Sequence, residues 1–264
     1  MSESRVSFAD DSDRAASTAE ALRILRRDGV VVLDDLIDLQ LIERCRGELE
    51  AAYPDMARPN RALNYGPYEG RHCTPVVVER SLADPALLLP QPVSSIARTL
   101  LEEPYKVDSV GLLVAAPGAP DQIAHHDGWL FPREGLDRLL PPFALAFSVP
   151  LVPMDETSGR TAFWLRSHRS ASPTPEGPYD FAPTVNPGSA ILWDFRVLHC
   201  GMANRGERPR PVIFTVLSRE WWVEVQPPEA TLYRKLRLSR EVHSGFRPRW
   251  KARFSRAELV DAGE

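Results

Sequence analysis

The chain lacks the sequence features of several large classes of protein. Its three cysteines, Cys45, Cys73 and Cys200, lie far apart and form no CxxC pair, so a reducing compartment is expected. The most apolar run, residues 143–152, is too short to span a bilayer. The acidic and polar first residues have none of the character of a signal peptide. We therefore expect a cytoplasmic protein with no membrane partner.

The chain also has no concentrated positive charge. It carries 32 basic and 36 acidic residues, with a net charge of −4, and the basic residues are nearly all arginines interspersed with aspartate and glutamate. Because no basic stripe stands out, a nucleic-acid partner is not expected. A G-x-S-x-G motif is absent as well, which argues against a serine hydrolase.

The first hundred residues predict a helical layer. Apolar residues recur at helical spacing in three segments, residues 15–28, 36–53 and 91–102. Gly29 is expected to end the first helix, and the apolar run at 30–36 predicts a short strand after it. Residues 1–14 are predicted to be disordered. Far along the chain, residues 230–242 predict one more helix that covers an end of the domain.

The pattern changes after residue 105. Short runs rich in Val, Ile, Phe and Trp recur between Pro/Gly turns, at residues 107–116, 122–131, 143–152, 160–165, 189–195, 198–203 and 211–218. Many short strands with turn signals between them are typical of an all-β sandwich or barrel. We predict a mostly β fold with flanking helices, in which an N-terminal helical layer packs on a barrel or jelly roll. A single domain over 15–264, with a β core at about 105–220, is expected.

One of these runs, AHHDGWLFP at residues 124–132, places two histidines beside an aspartate. If residues 122–131 form a strand, residues two apart share a face, so His125 and Asp127 point one way and His126 the other. An imidazole and a carboxylate on one face are two members of a facial metal triad. His126 is interpreted as a structural residue.

The third ligand would be a histidine on a later strand. Of the downstream candidates His168, His199 and His243, His199 is favoured because it lies between two strand-like runs. Two histidines and one carboxylate leave three coordination positions open, and this favours non-haem iron(II) that must bind a co-substrate and dioxygen.

A buried arginine near such a metal would anchor a dicarboxylate. A hairpin turn at residues 204–208 would place Arg210 almost opposite His199. Arg208 has the same strand parity as Arg210, so alternation alone leaves both arginines open.

Four segments now resemble, in the expected order, the phytanoyl-CoA dioxygenase family of Fe(II)/2-oxoglutarate-dependent oxygenases. They are LRRDGVVVLDDLID (25–38), PGAPDQIAHHDGWLF (117–131), VPMDETSGRTAFWLRSHR (152–169) and PGSAILWDFRVLHCGMANRGERPR (187–210). The resemblance covers about residues 20–220. It implies a double-stranded β-helix, which is a cupin-like jelly roll, with iron(II), 2-oxoglutarate and O₂ as cofactor and co-substrates.

The resemblance also implies roles for single residues. His125, Asp127 and His199 would hold the metal and form the catalytic centre. In the family an asparagine follows the distal histidine by about five residues and an arginine by eleven. Asn204 and Arg210 occupy these positions here, which favours Arg210 over Arg208 as the 2-oxoglutarate anchor.

Three further residues are candidate contacts of 2-oxoglutarate, namely Gln122, Thr161 and Asn204. An ordinary strand threonine is the alternative for Thr161. Trp129 shares the parity of His125 and is expected either to line the pocket or to belong to the core. The loop at residues 64–73 is a candidate substrate lid, and a merely ordered surface loop is the alternative.

The expected function is oxidation of an unactivated C–H bond of a small-molecule substrate by a monomer or homodimer. Related halogenases carry a small residue where Asp127 stands, so hydroxylation or another oxidation is favoured over halogenation. The high content of arginine, proline and alanine suggests a GC-rich bacterial genome, where such enzymes act in secondary metabolism. The alternatives are a zinc-dependent protein and a non-catalytic jelly roll that binds a small carboxylate.

Overall fold

The computed structural model describes residues 4–56, 70–131, 136–170, 174–223 and 236–261. Within these ranges the strands, in chain order, are β1 (Arg5–Ser7), β2 (Val30–Asp34), β3 (Arg71–Pro75), β4 (Val77–Val78), β5 (Lys106–Ala115), β6 (Ala144–Pro150), β7 (Thr161–Phe163), β8 (Ala190–Asp194), β9 (His199–Gly201), β10 (Arg210–Ser218), β11 (Arg237–Ser239) and β12 (Glu258–Val260). The α-helices are α1 (Arg14–Asp28), α2 (Leu39–Ala52), α3 (Pro85–Leu88), α4 (Gln91–Leu101), α5 (Arg240–Gly245) and α6 (Pro248–Arg253).

The largest unit is a seven-stranded sheet in the order β1-β2-β8-β6-β10-β5-β3. β1 runs parallel to β2, and the other neighbours in this sheet pair antiparallel. β7 and β9 pair as a short ribbon in a second layer, and β12, β11 and β4 form a small separate sheet. This arrangement confirms the prediction of a mostly β jelly roll with an N-terminal helical layer.

Alternate residues of the large sheet serve two different hydrophobic cores. On β6, Leu145, Phe147 and Val149 pack in the core shared with the helices, whereas Ala146 packs in the core between the two β layers. Successive side chains of a strand point to opposite faces, so a strand covered on both faces has a continuous apolar sequence. This is why every residue of β6 is buried.

The helical layer begins with α1, which ends at Gly29 as predicted. Gly29 has a φ of 82°, and its N–H donates to the Leu25 carbonyl at 2.8 Å. A Cβ at this position would lie 2.2 Å from a Val197 methyl group and 2.5 Å from His168 Nδ1. Only glycine therefore allows α1 to approach the loop that leads to β9. Among the helices in the described ranges, none is long and apolar enough to cross a membrane.

Two of the β predictions are wrong. Residues 122–131 do not form a strand, because only His125 makes a bridge, and that bridge is isolated. The predicted hairpin between β9 and β10 does not exist either, since β9 pairs with β7 and β10 pairs with β5 and β6. In both places a connection that contains Pro and Gly crosses from one β layer to the other. The alternation of apolar and polar residues in a segment does not predict which layer that segment belongs to.

The N-terminal prediction of disorder over residues 1–14 is wrong for the described part. β1 pairs with β2, and Phe8 is buried in the helical core. The predicted helix at 230–242 is wrong at residues 237–239, which form β11, whereas residues 240–242 belong to α5. A three-residue strand is too short to produce a periodic signal in the sequence. Residues 230–235 of that segment and residues 64–69 of the candidate lid lie outside the described ranges. Residues 71–73 of the candidate lid are buried in β3 and do not form a surface loop.

Three buried histidines, His72, His168 and His199, make the stability of the metal-free protein depend on pH. Burial lowers the pKa of all three imidazoles below their ordinary value of 6.5. As pH falls below 6.5, the unfolded chain therefore takes up protons that the folded protein does not, and unfolding is favoured. We expect the free energy of unfolding of the metal-free protein to be lower at about pH 5.5 than at about pH 7.5, as measured by urea titration. A His72→Gln/His168→Asn protein with an equally steep pH dependence would contradict this account.

Candidate metal centre

His125 and His199, from distant parts of the chain, lie directly opposite each other. The His125 N–H donates to the His199 carbonyl at 2.9 Å, and the His199 N–H donates back to the His125 carbonyl at 2.9 Å. The centroids of the two rings are 4.5 Å apart. This reciprocal pair fastens the segment around His125 to β9, although that segment is not a strand.

The hydrogen bonds of the two rings leave one nitrogen of each ring available as a ligand. His125 Nδ1 lies 2.8 Å from the Ile123 carbonyl, and His199 Nδ1 lies 3.0 Å from the Val197 carbonyl. A carbonyl oxygen only accepts, so Nδ1 carries the proton in both rings. In the neutral imidazoles the lone pair is therefore on Nε2, as a metal ligand requires.

Asp127 completes a group of three possible ligands. Asp127 Oδ2 lies 3.8 Å from His199 Nε2, and one donor atom from each of the three side chains lies within 4.8 Å of the others. The Asp127 N–H donates to the Phe195 carbonyl at 3.0 Å, which holds this residue beside the chain that leads to β9. The other downstream candidates, His168 and His243, are not part of the group.

His126 points away from this group, as alternation predicts. Its Nδ1–H donates to the Arg196 carbonyl at 2.7 Å, and its ring packs edge-on against Trp129 with centroids 4.2 Å apart. Trp129 is not among the residues that line the cavity beside the three possible ligands. Trp129 is half-buried and belongs to neither hydrophobic core, so neither of its two expected positions is observed.

Burial keeps the imidazole of His199 neutral. Desolvation lowers the pKa of His199 to about 4, although the nearby Asp127 carboxylate acts in the opposite direction. The ring is thus uncharged near neutral pH. Its Nε2 carries no proton, so no deprotonation is needed before this nitrogen binds a metal ion.

Arg210 is a buried guanidinium at the other side of the same cavity. Its side chain is 3% exposed, and its described contact is a 3.1 Å hydrogen bond from Nη1 to the Met154 sulfur. In the part of the chain that the structure describes, Nε has no hydrogen-bond partner and no carboxylate pairs with the guanidinium. Burial, and secondly the charge of Arg71, lower the pKa of Arg210 to about 9. Arg208, the other candidate, is exposed.

Two of the three predicted co-substrate contacts line the cavity. The Gln122 N–H donates to the Gly201 carbonyl at 2.9 Å, and Gln122 Oε1 accepts from the Gly201 N–H at 2.8 Å. The Thr161 hydroxyl lies 4.0 Å from the Met154 sulfur, which also contacts Arg210. Both side chains border the space between the possible ligands and Arg210.

Asn204 does not line the cavity, so its predicted contact with the co-substrate is corrected. Its Nδ2 donates to the carbonyls of Ala115 and Arg208 at 2.9 Å each, and its Oδ1 accepts from the Gly206 N–H at 3.0 Å. Both polar atoms of the amide are thus hydrogen-bonded to main-chain groups. Asn204 fastens the turn that leads into β10 and supports the position of Arg210 indirectly.

The order and spacing of these residues can be compared with known proteins. Residues 25–212 match the phytanoyl-CoA dioxygenase (PhyH) family, which is more than half of the chain. The chain belongs to this family. The matched region contains the three possible metal ligands and Arg210.

Individual relatives of this PhyH-family chain have low sequence identity to it. The chain is 26% identical to Dioxygenase trt7 of Aspergillus terreus over 208 residues, which cover 74% of this chain and 71% of that protein. The structure of EctD from S. alaskensis with 2-oxoglutarate and 5-hydroxyectoine has a TM-score of 0.61 and 20% identity, covering 92% of this chain and 88% of EctD. The non-heme alpha ketoglutarate dependent epimerase SnoN from nogalamycin biosynthesis has a TM-score of 0.60 and 19% identity, covering 78% and 82%. Both structures share the fold of this chain.

Sequence reasoning missed Arg71, which links the segments that carry His125 and His199. Arg71 is 1% exposed. Nε and Nη2 donate to the Pro120 carbonyl at 3.1 and 2.9 Å, and Nη2 also donates to the Gly201 carbonyl at 3.2 Å. Pro120 precedes His125, and Gly201 follows His199. A single arginine in a loop-like stretch has no periodicity, so only its burial reveals this link.

Replacing Arg71 by methionine should therefore weaken both the fold and the metal centre. The change removes a donor from three main-chain carbonyls, those of Pro120, Gly201 and Met202. The Gly201 carbonyl keeps the N–H of Gln122, and each buried acceptor left unsatisfied costs about 1–3 kcal/mol. We expect the free energy of unfolding to fall by about 2–5 kcal/mol in urea titrations, and the affinity for cobalt(II) to fall as well. The control is Arg169→Met, because Arg169 is exposed and also donates to a main-chain carbonyl, that of Arg26. Equal losses in the two variants would contradict the role of Arg71.

Proposed function

We propose that this protein is an iron(II)- and 2-oxoglutarate-dependent oxygenase that hydroxylates, or otherwise oxidises, an unactivated C–H bond of a small molecule. The observation that carries the proposal is that one cavity holds both a His-Asp-His group and a buried arginine for which the described residues supply no carboxylate. The first feature suits a metal ion, and the second suits an anionic co-substrate. Neither feature alone would distinguish an oxygenase from a protein that only binds metal.

The three side chains fit the chemistry of non-haem iron. His125 and His199 each present an Nε2 lone pair, and Asp127 presents a carboxylate, which together are the ligand set of the facial triad. Such a set leaves three coordination positions for other ligands. When it is bound there, iron(II) with 2-oxoglutarate would supply the activation of dioxygen that C–H oxidation requires.

Arg210 is proposed to bind the far carboxylate of 2-oxoglutarate. A buried guanidinium without an anionic partner is unfavourable, and a carboxylate that accepts two of its N–H groups offsets the desolvation of both charges. Thr161 and Gln122 border the same space, and we propose that they contact the co-substrate from its sides. EctD was crystallised with 2-oxoglutarate, which supports this co-substrate for the related fold.

Aromatic rings enclose the metal centre on one side. Phe163 stacks on His199 with centroids 5.8 Å apart, and the Trp193 ring lies 5.5 Å from the same imidazole. These rings exclude water from one flank of the proposed iron site, which limits side reactions of the oxidant.

The described wall of the cavity is otherwise mainly apolar, and this bears on the substrate. It includes Leu113, Phe195, Val212, Phe214 and Val216. An apolar wall favours a small molecule that presents an uncharged hydrocarbon group to the metal. The relation of SnoN to nogalamycin biosynthesis supports a role in bacterial secondary metabolism, and Asp127 supports hydroxylation over halogenation. A cytoplasmic location is proposed on the grounds of the composition.

The experiment that tests this function compares the amount of succinate released with the amount of 2-oxoglutarate consumed. The purified protein, supplied with iron(II), ascorbate, O₂ and 2-oxoglutarate, is expected to release succinate in proportion to the 2-oxoglutarate consumed. Zinc(II) in place of iron(II) should give no succinate, and Asp127→Ala should give none with either metal. Release of succinate with zinc alone, or binding of 2-oxoglutarate without any succinate from iron-loaded protein given a panel of apolar small molecules, would count against an oxygenase.

A further inference from the structure

We propose that Trp193 is a positioning residue that sets the orientation of the Asp127 carboxylate for metal binding. Trp193 Nε1 donates to Asp127 Oδ2 at 2.8 Å, and 66 residues separate the two in the sequence. The inference rests on the proposed metal site and deepens it, because an indole N–H is a donor only and cannot itself bind the metal.

The fold holds the Trp193 indole in one place. Trp193 lies on β8 opposite Ala146 of β6, whose small side chain leaves room for the ring between the two β layers. The ring packs edge-on against Phe163 with centroids 5.8 Å apart, and it also contacts His199. Since the side chain is 9% exposed and packed on several sides, its N–H reaches Asp127 from a fixed direction.

A fixed donor matters because a free carboxylate has no preferred orientation. The terminal torsion of aspartate is broad, and its two oxygens are equivalent until one accepts a hydrogen bond. The Trp193 N–H makes the two oxygens of Asp127 inequivalent and restricts rotation of the group. A single orientation of the carboxylate favours binding through one oxygen, which leaves coordination positions for other ligands.

The two histidines are oriented in a corresponding way. The Ile123 carbonyl accepts from His125 Nδ1–H, and the Val197 carbonyl accepts from His199 Nδ1–H. Each of the three proposed ligands thus has its own orienting partner. Such partners determine metal affinity by ordering the ligands before the metal binds.

The test is a cobalt(II) titration of the full-length protein without 2-oxoglutarate. Trp193→Phe keeps an aromatic ring but removes the N–H donor. We expect the Kd for cobalt(II), measured by calorimetry, to rise about 10- to 100-fold, with a change in the visible spectrum of the bound cobalt. In the Asp127→Ala background, the same substitution should leave the Kd nearly unchanged, because its effect acts through the missing carboxylate.

The matched control is Trp164→Phe. The indole of Trp164 donates to the Gly177 carbonyl at 2.8 Å, so this variant also loses an indole hydrogen bond, but one that no proposed metal ligand accepts. Its cobalt Kd should equal that of the wild type. If the wild type binds cobalt and Trp193→Phe binds it equally tightly, the role of Trp193 is overturned while the metal site stands. If the wild type takes up no cobalt, the proposed function fails and this inference with it.

A second measurement needs no substitution of Trp193. The chain has six tryptophans, so ¹⁵N-labelled indoles give six N–H signals. In Asp127→Ala we expect one of these signals to shift strongly, as a hydrogen bond to a carboxylate is lost. If none of the six signals shifts, the proposed contact does not exist in solution.

Discussion

Replacing His199 by alanine is expected to abolish iron(II) binding and 2-oxoglutarate turnover. The substitution removes one of three proposed ligands and also the ring that packs against Phe163 and Trp193. Loss of a residue that only supports a metal ligand costs about 10- to 100-fold in affinity, and loss of the ligand itself should exceed this. Iron content after gel filtration and the rate of succinate release measure the two effects.

The control for His199 is another buried histidine outside the site. His168 is 5% exposed and lies against Gly29. His168→Asn is expected to lower the stability of the protein and to leave its iron content unchanged. This variant therefore distinguishes an effect on folding from an effect on metal binding. A His199→Ala protein that still holds iron as tightly and still turns over 2-oxoglutarate at the native rate would falsify the proposed metal centre.

Replacing Arg210 by methionine is expected to change co-substrate binding and stability in opposite directions. Removing one partner of a buried charge pair costs about 2–5 kcal/mol, which corresponds to an increase in Kd for 2-oxoglutarate of roughly 30- to 4,000-fold. In the free protein the same guanidinium is buried without a carboxylate in the described structure, so its removal should not lower the free energy of unfolding and is expected to raise it.

The sequence provides the matched control for Arg210. Arg208 has the same strand parity, lies two residues away and is exposed, so Arg208→Met removes an equal charge from the same region. We expect its affinity for 2-oxoglutarate to equal that of the wild type. Calorimetric titration gives the Kd values. Thermal unfolding should show a rise in Tm on addition of 2-oxoglutarate for the wild type and Arg208→Met, but not for Arg210→Met. Equal behaviour of the two variants would remove Arg210 from the proposed site.

The grouping of His125 with Asp127 shows how a sequence argument can succeed on a partly wrong premise. The strand predicted at residues 122–131 is absent, yet His125 and Asp127 face His199 while His126 faces the Arg196 carbonyl. The chain bends at Asp127, and main-chain hydrogen bonds from His125 to His199 and from Asp127 to Phe195 hold the two residues beside the same segment. The grouping therefore did not require a regular strand.

Arg210 also lines the cavity although the hairpin that was predicted to place it there is absent. β9 and β10 belong to different layers, so Arg210 is not the cross-strand neighbour of His199. It reaches the cavity because both layers line it. Spacing within the family favoured this residue over Arg208, and the burial of Arg210 with the exposure of Arg208 now gives a physical ground for the same choice.

By itself, the sequence determined the family, the β-rich class of the fold, and the order of two histidines, an aspartate and an arginine, because periodicity and short motifs are local properties of the chain. Only the tertiary structure decided that the Asn204 side chain hydrogen-bonds to the main chain, that Arg71 links the segments that carry His125 and His199, and that Trp193 donates to Asp127. These roles depend on burial and on contacts between segments 66 to 130 residues apart. Such contacts arise when two β layers close on each other, and no local pattern in the sequence records them.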